Sequence, residues 1–339
     1  MTAHDLSAEP GPPAPAPPQQ VGPPPPTASG SDRRRVGPLR TRLRRLDVTA
    51  TPYLIISPFF VLFAVFGIFP IVYTLWVSLH KYDLVSPNRP FIGLDNYRRL
   101  LEDEYFWNAL RNTVAIFTIA TVPQLLLALM LAALLNRRLR ARTFFRMGVL
   151  LPNITSIAAV TIIFNQLFGR DYGLFNWLLG LVGIGPIDWK ADQLASWVAI
   201  ATMVDWRWTG YNALIFLAAM QTIPKEIYEA AAIDGAGPWR SFWRITVPLM
   251  KPTLIFVVII STIGGMQLFA EPLLFDDNPA SAFGGAGREF QTLALYVYEV
   301  AFRNLKFGYA ATITWVMFLI VVLVTLVNLA VTRRIGGRE

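Results

Sequence analysis

Six stretches of this chain are apolar over lengths that suit a lipid bilayer: Tyr53–Leu79, Asn112–Leu135, Met147–Phe168, Ala195–Met220, Thr253–Phe275 and Tyr309–Thr332. A helix needs roughly 20 apolar residues to cross the hydrocarbon core. The expectation is therefore an all-α membrane protein with six transmembrane helices. Composition agrees: the chain is 54% hydrophobic and 15% charged, whereas a soluble domain carries about 25% charged residues. Only the fourth stretch holds charge in its interior, at Asp205 and Arg207.

Several chemistries are excluded. There is no cysteine, hence no disulfide, thiolate metal site or cysteine nucleophile. The two histidines are His4, in the N-terminal tail, and His80, at a span edge, so a histidine triad or zinc site is not expected. No Gly-rich loop ends in Lys-Ser or Lys-Thr, so the chain is not expected to hydrolyse ATP itself. No metal or cofactor is expected on it. Asp205 and Asp234 lack a companion carboxylate suited to glycoside hydrolysis.

The net charge of +8 has a membrane explanation, and nucleic acid is not expected as a partner. With the N-terminus inside, nineteen Lys and Arg fall in the tails and the loops on its side, and ten fall opposite. That bias places both termini in the cytoplasm of a bacterial cell, in a multi-pass protein of the cell membrane. Its strongest element is the short loop with Arg137, Arg138, Arg140, Arg142 and Arg146. Residues 1–46 read as a tail, Pro-rich and disordered over 1–31 and basic from Arg33 to Arg45. Residues 47–110 read as the first span and an extracytoplasmic loop, 111–333 as a five-span core, and 334–339 as a cytoplasmic tail. No cleavable leader pattern is present near Met1.

Between the fourth and fifth spans, residues 224–252 are built differently. Pro224 and Pro238 can each open a helix, where a missing N–H costs nothing. Gly235 and Gly237 lie between them and permit a reversal. The stretch reads as two short helices joined by a bend, and Ala230, Ala231 and Ala236 as a small-residue surface open to close approach. Taken alone, this is an ordinary connector. The pattern Glu229-Ala230-Ala231, Asp234-Gly235-Ala236, Ile245 and Pro248 resembles the EAA loop of permease subunits of binding-protein-dependent ABC importers. Val247 stands where Leu is usual. Gly93-Leu94-Asp95-Asn96-Tyr97, Asn112-Thr113, Leu151-Pro152, Phe168, Gly173 and Asn176 resemble the sugar, maltose-transporter-like branch, and the likeness covers roughly 50–335.

The resemblance implies a type I ABC importer permease fold. Its partners would be a second homologous permease, two ATPase subunits that use ATP and magnesium, and an extracytoplasmic sugar-binding protein. The substrate would be a di- or oligosaccharide, with glycerol phosphate or a polyol as the alternative within the family. A membrane enzyme such as a glycosyltransferase would need a cluster of acidic or metal-binding groups, and none is evident.

A sugar path needs rings to stack on sugar faces and amides or carboxylates to bond hydroxyls. The candidates are Asn153, Gln166, Asp205, Trp206, Arg207, Trp208, Tyr211, Asn212 and Gln267, with Asn165, Glu271 and Trp315 as further buried-polar or aromatic positions. Any one of them can instead serve as an inter-helix hydrogen bond. Asp205 and Arg207 are two apart and point to different sides of a regular helix. Unless the helix unwinds near Gly210, each is expected to meet a group from elsewhere.

Overall fold

The computed structural model describes residues 51, 53–86, 88–137, 140–276 and 283–336. The tail 1–46 with its basic anchor, Arg138, and residues 337–339 lie outside them. The chain divides into two compact units, 1–63 and 64–339. In the first, the described residues are the opening turns of helix α1 (Tyr53–Ser78). The account below concerns the second.

Along that unit run α2 (Asp95–Leu101), α3 (Glu104–Leu135), α4 (Arg142–Ile154), α5 (Ile157–Leu167), α6 (Leu174–Leu181) and α7 (Gln193–Gln221). Then come α8 (Lys225–Ile233), α9 (Pro238–Leu249), α10 (Lys251–Met266), α11 (Ala270–Phe275), α12 (Leu293–Tyr298) and α13 (Phe307–Gly336). Strand pairing among the described residues is limited to single bridges, His80 with Phe91 and Asp83 with Lys306.

The central pair is α3 against α7. Small residues let their backbones approach: Ala128 and Ala132 on α3, and Ala199 and Ala213 on α7, are wholly buried. Close approach of this kind is how helices associate where lipid removes the hydrophobic drive. Leu129, Leu135, Phe216, Leu217 and Met220 continue the seam onto Met250 and Val257. Both helices start on an aspartate cap. Asp103 Oδ1 accepts from Tyr105 N at 2.9 Å, and Asp192 Oδ1 from Ala195 N at 2.7 Å, which satisfies amides otherwise left without a partner in the first turn. Beside them, Leu100, Phe106, Ala109, Leu293, Tyr296 and Ile313 knit α2, α3, α12 and α13 together.

Four of the six expected spans are single helices. Helices α1, α3 and α13 are long and apolar enough to cross a membrane. Helix α7 has 29 residues, ample length at about 1.5 Å per residue, but it is not among the helices that are also apolar enough to cross; it is continuous through Gly210, so no unwinding occurs there. The third and fifth spans differ from expectation. Met147–Phe168 is not one helix: α4 and α5 meet at 88°. The bend lies at Thr155 and Ser156, which are extended with ψ of 140° and 132°. Pro152 lacks an amide for the preceding turn, and Thr155 Oγ1 bonds Leu151 O at 2.8 Å, beside Thr155 N on the same carbonyl. In the fifth span, helix α10 ends at Met266 and a new helix starts at Ala270. Each bent pair, α4 with α5 and α9 with α10, counts at most as one further crossing.

Helix α4 comes very close to α7 at Gly210. A Cβ on Gly210 would lie 1.8 Å from the carbonyl oxygen of Val149. Next to this crossing, the guanidinium groups of Arg146 and Arg142 lie 2.6 and 2.7 Å from the Gln221 side-chain oxygen, once its amide is turned to accept from them.

Candidate functional site

Helices α3, α7 and α10 leave between them a cavity of about 400 Å3. Helix α3 contributes Phe117, Thr121 and Gln124, α7 contributes Arg207, Trp208, Tyr211 and Asn212, and α10 contributes Ser261 and Gly265. The break after α10 adds Gln267, and α11 adds Glu271. Amides and rings alternate here because α7 turns one face inward: residues 204, 207, 208, 211 and 212 follow helical spacing. Trp208 and Tyr211 meet edge to face with centroids 5.8 Å apart. Asn212 Nδ2 donates to Gln124 Oε1 at 3.2 Å, which ties the two long helices together.

Arg207 finds its partner on another element. Its Nη1 donates to Glu271 Oε1 at 2.6 Å, with the side chains 14% and 6% exposed. Removing one member of such a pair leaves a buried charge uncompensated, at a cost of about 3–5 kcal/mol. The backbone on either side of Glu271 is tied to other elements. Thr292 Oγ1 donates to Leu268 O at 2.7 Å, and Asn165 Nδ2 to Leu274 O at 3.2 Å. Gly265 keeps the wall thin, since a Cβ there would come within 2.4 Å of the Phe117 ring.

Of the sequence candidates, Arg207, Trp208, Tyr211, Asn212 and Gln267 converge on this cavity, and Asn153, Gln166, Asp205 and Trp206 do not. Gln166 is exposed on α5. Trp206 faces a separate apolar cavity of about 330 Å3 with Val160, Phe164 and Phe175. Asp205 Oδ1 is buried, with no hydrogen-bond partner among the described residues. Asn165 Nδ2 bonds Leu274 O on a neighbouring helix, and Trp315 packs on Phe318 at 5.6 Å; neither lines this cavity. Gln124 was not among the candidates, although it is the one amide inside the apolar stretch from Val114 to Leu135.

The segment between α7 and α10 folds as two helices joined by a bend, as its prolines and glycines imply. Gly235 has φ of +77°. Its N–H bonds Ala232 O at 3.1 Å, and the Ala236 N–H bonds Ala231 O at 2.9 Å. Those two bonds close a helix with a left-handed residue just past its end, the position where glycine is cheapest. Gly237, by contrast, has an ordinary φ of −67°. Tyr228 OH and Thr246 Oγ1, 2.9 Å apart, clamp α8 to α9. One expectation changes. Ala231 is buried, 9% exposed, so it is not part of a surface open to a partner. The exposed face carries Glu229, Ala230, Asp234 and Gly235, with Ile233 88% and Trp239 71% exposed. Pro248 is exposed, while Ala236 and Ile245 are half-buried.

Comparisons with known proteins agree with this architecture. The lactose transport system permease protein LacF of Rhizobium radiobacter is 39% identical over 298 residues, 87% of this chain and 97% of that protein. The sn-glycerol-3-phosphate transport system permease protein UgpA of Escherichia coli is 32% identical over 283 residues, 82% of this chain and 92% of that one. Among solved structures, a chain of a bacterial ABC transporter involved in the import of the acidic polysaccharide alginate shares the fold. Its TM-score is 0.72 at 20% identity, covering 87% of this chain and 99% of that one. Residues 113–337, from the first turns of α3 into the C-terminus, match the model of one family. The chain belongs to that family, the binding-protein-dependent transport system inner membrane components.

Proposed function

We propose that this permease passes a di- or oligosaccharide inward through the cavity between α3, α7 and α10. It would do so with a second permease, two ATPase subunits that hydrolyse ATP, and an extracytoplasmic binding protein. The observation that carries the reading is the lining itself. Trp208 and Tyr211 offer apolar ring faces, and Gln124, Asn212 and Gln267 offer amides, in a space of about 400 Å3. This pairing of surfaces suits a ring of carbons edged with hydroxyls. The α8–α9 hairpin, with its exposed Ile233 and Trp239, is the coupling element that an ATPase engages. The chain does no chemistry on its cargo.

The experiment is ATP hydrolysis by the assembled complex in nanodiscs. Binding protein loaded with a di- or oligosaccharide stimulates it, and binding protein loaded with glycerol 3-phosphate does not. Stimulation by glycerol 3-phosphate alone would favour the second reading, which the likeness to the glycerol-phosphate permease supports and the neutralised Arg207 opposes.

Two predictions follow from the placement of residues. Trp208→Ala and Asn212→Ala each lower transport roughly tenfold, as loss of about 1.4 kcal/mol of contact would. Assembly and basal ATP hydrolysis stay near wild type. Equal loss of assembled complex would mark both side chains as packing elements only. The second concerns orientation. The native chain has no cysteine, so single cysteines report cleanly. One at Ile233 reacts only from the cytoplasmic side. One at Tyr172, which is fully exposed between α5 and α6, reacts only from outside. The reverse pattern would invert the topology.

A further inference from the structure

Among the described residues, Arg207 and Glu271 are the only acidic or basic side chains lining the cavity, and they face each other at 2.6 Å. The described wall of the path is therefore neutral in sum. An arginine left open in such a place is a ready receptor for a carboxylate or phosphate, which its planar donors can grip in pairs. Here a carboxylate from the protein takes the Nη1 donor and balances the charge, while Nε has no hydrogen-bond partner among the described residues. The backbone that carries Glu271 is tied on either side, at Leu268 by Thr292 and at Leu274 by Asn165, and the carboxylate itself is 6% exposed and bonded to Arg207. We infer that Glu271 is a specificity-determining residue: it occupies Arg207 and so restricts the path to uncharged solutes. This rests on the saccharide reading above and narrows it to neutral sugars. An anionic solute reaching Arg207 must displace Glu271 or meet its charge, whereas a neutral sugar meets only amides and rings. Specificity then comes from repulsion of the wrong ligand as much as from attraction of the right one.

The test uses the assembled complex of both permeases and both ATPases in detergent, with binding protein omitted so that the transmembrane path alone is read. Saturation-transfer NMR titrations compare lactose with lactobionate and maltose with maltobionate, pairs that differ in a carboxylate and one opened ring. Wild type favours the neutral member. Glu271→Gln keeps the shape and an acceptor for Arg207 but leaves the cation unmatched, and moves the ratio toward the aldonate by at least roughly tenfold, or about 1.4 kcal/mol. The exchange of Arg207→Glu with Glu271→Arg keeps the sum at zero and retains the wild-type preference. If Glu271→Gln does not assemble, Arg207→Gln decides, since an unmatched Glu271 deepens exclusion of the aldonate by a similar factor. An unchanged ratio in the assembled single variant, or an exchange variant that takes up the preference of Glu271→Gln, overturns the proposal while leaving the saccharide reading intact. Absence of any saturation transfer to the neutral sugars in wild type overturns the saccharide reading and the proposal with it.

Discussion

Gly235→Pro abolishes ATP-driven uptake while leaving the transmembrane bundle folded. Gly235 sits at φ of +77°, and proline is fixed near −65°. The substitution also deletes the N–H that bonds Ala232 O, worth about 1 kcal/mol in itself. The helix α8 then has no left-handed terminus, and the bend that sets α9 against it through Tyr228 and Thr246 must open. The damage stays local, because Gly235 is exposed and nothing lies within 4 Å of where its Cβ would be. Gly235→Asn is the control, since asparagine tolerates the left-handed region, and it keeps most of the uptake. The measurement is uptake and ATP hydrolysis on the same preparation. Wild-type uptake by Gly235→Pro would show that residues 224–248 do not couple the two. Ala231→Trp gives the same loss by another route. Because Ala231 is buried, the indole must push apart whatever covers it and does not merely block a partner.

Gly210→Val removes the assembled permease altogether. The nearest atom to the new Cβ would be the carbonyl oxygen of Val149, at 1.8 Å, and a backbone atom cannot turn away as a side chain would. Helix α4 must separate from α7, opening the seam around Val149 and the Arg142, Arg146 and Gln221 contacts. A clash of this kind belongs with the largest single-residue losses, above about 4 kcal/mol. The yield and thermal melting of the complex in detergent report it. Gly210→Ala should already melt far below wild type, and a Gly210→Val complex with unaltered melting would mean that α4 does not cross α7 there.

The parts of this architecture that are written locally could be read from the chain. Length and apolarity mark α1, α3 and α13, and Pro224, Gly235 and Pro238 punctuate the hairpin because each has a fixed local consequence. The bends in the third and fifth spans escape hydropathy. The bend falls inside the apolar stretch 147–168, where Thr155 Oγ1 shares the Leu151 carbonyl with its own N–H, a contact that composition does not register. The pairing of Arg207 with Glu271 spans 64 residues in sequence and needs the break after Met266, so an isolated charge in the fourth span could be expected to find a partner without that partner being named. Trp206 shows the limit of aromatic content as a guide. It adjoins Arg207 in sequence but lies on a different face of α7, against Phe164.

In the proposed function this chain forms part of a path for saccharides, with ATPases acting at the α8–α9 hairpin. Proteoliposomes that hold the full complex, with ATP inside and loaded binding protein outside, test it most directly through uptake of labelled di- and oligosaccharides. The account predicts accumulation that stops when ATP or binding protein is withheld, falls with Trp208→Ala, and disappears with Gly235→Pro. Saccharide accumulation that continues without ATP, or at the wild-type rate in Gly235→Pro, would contradict it.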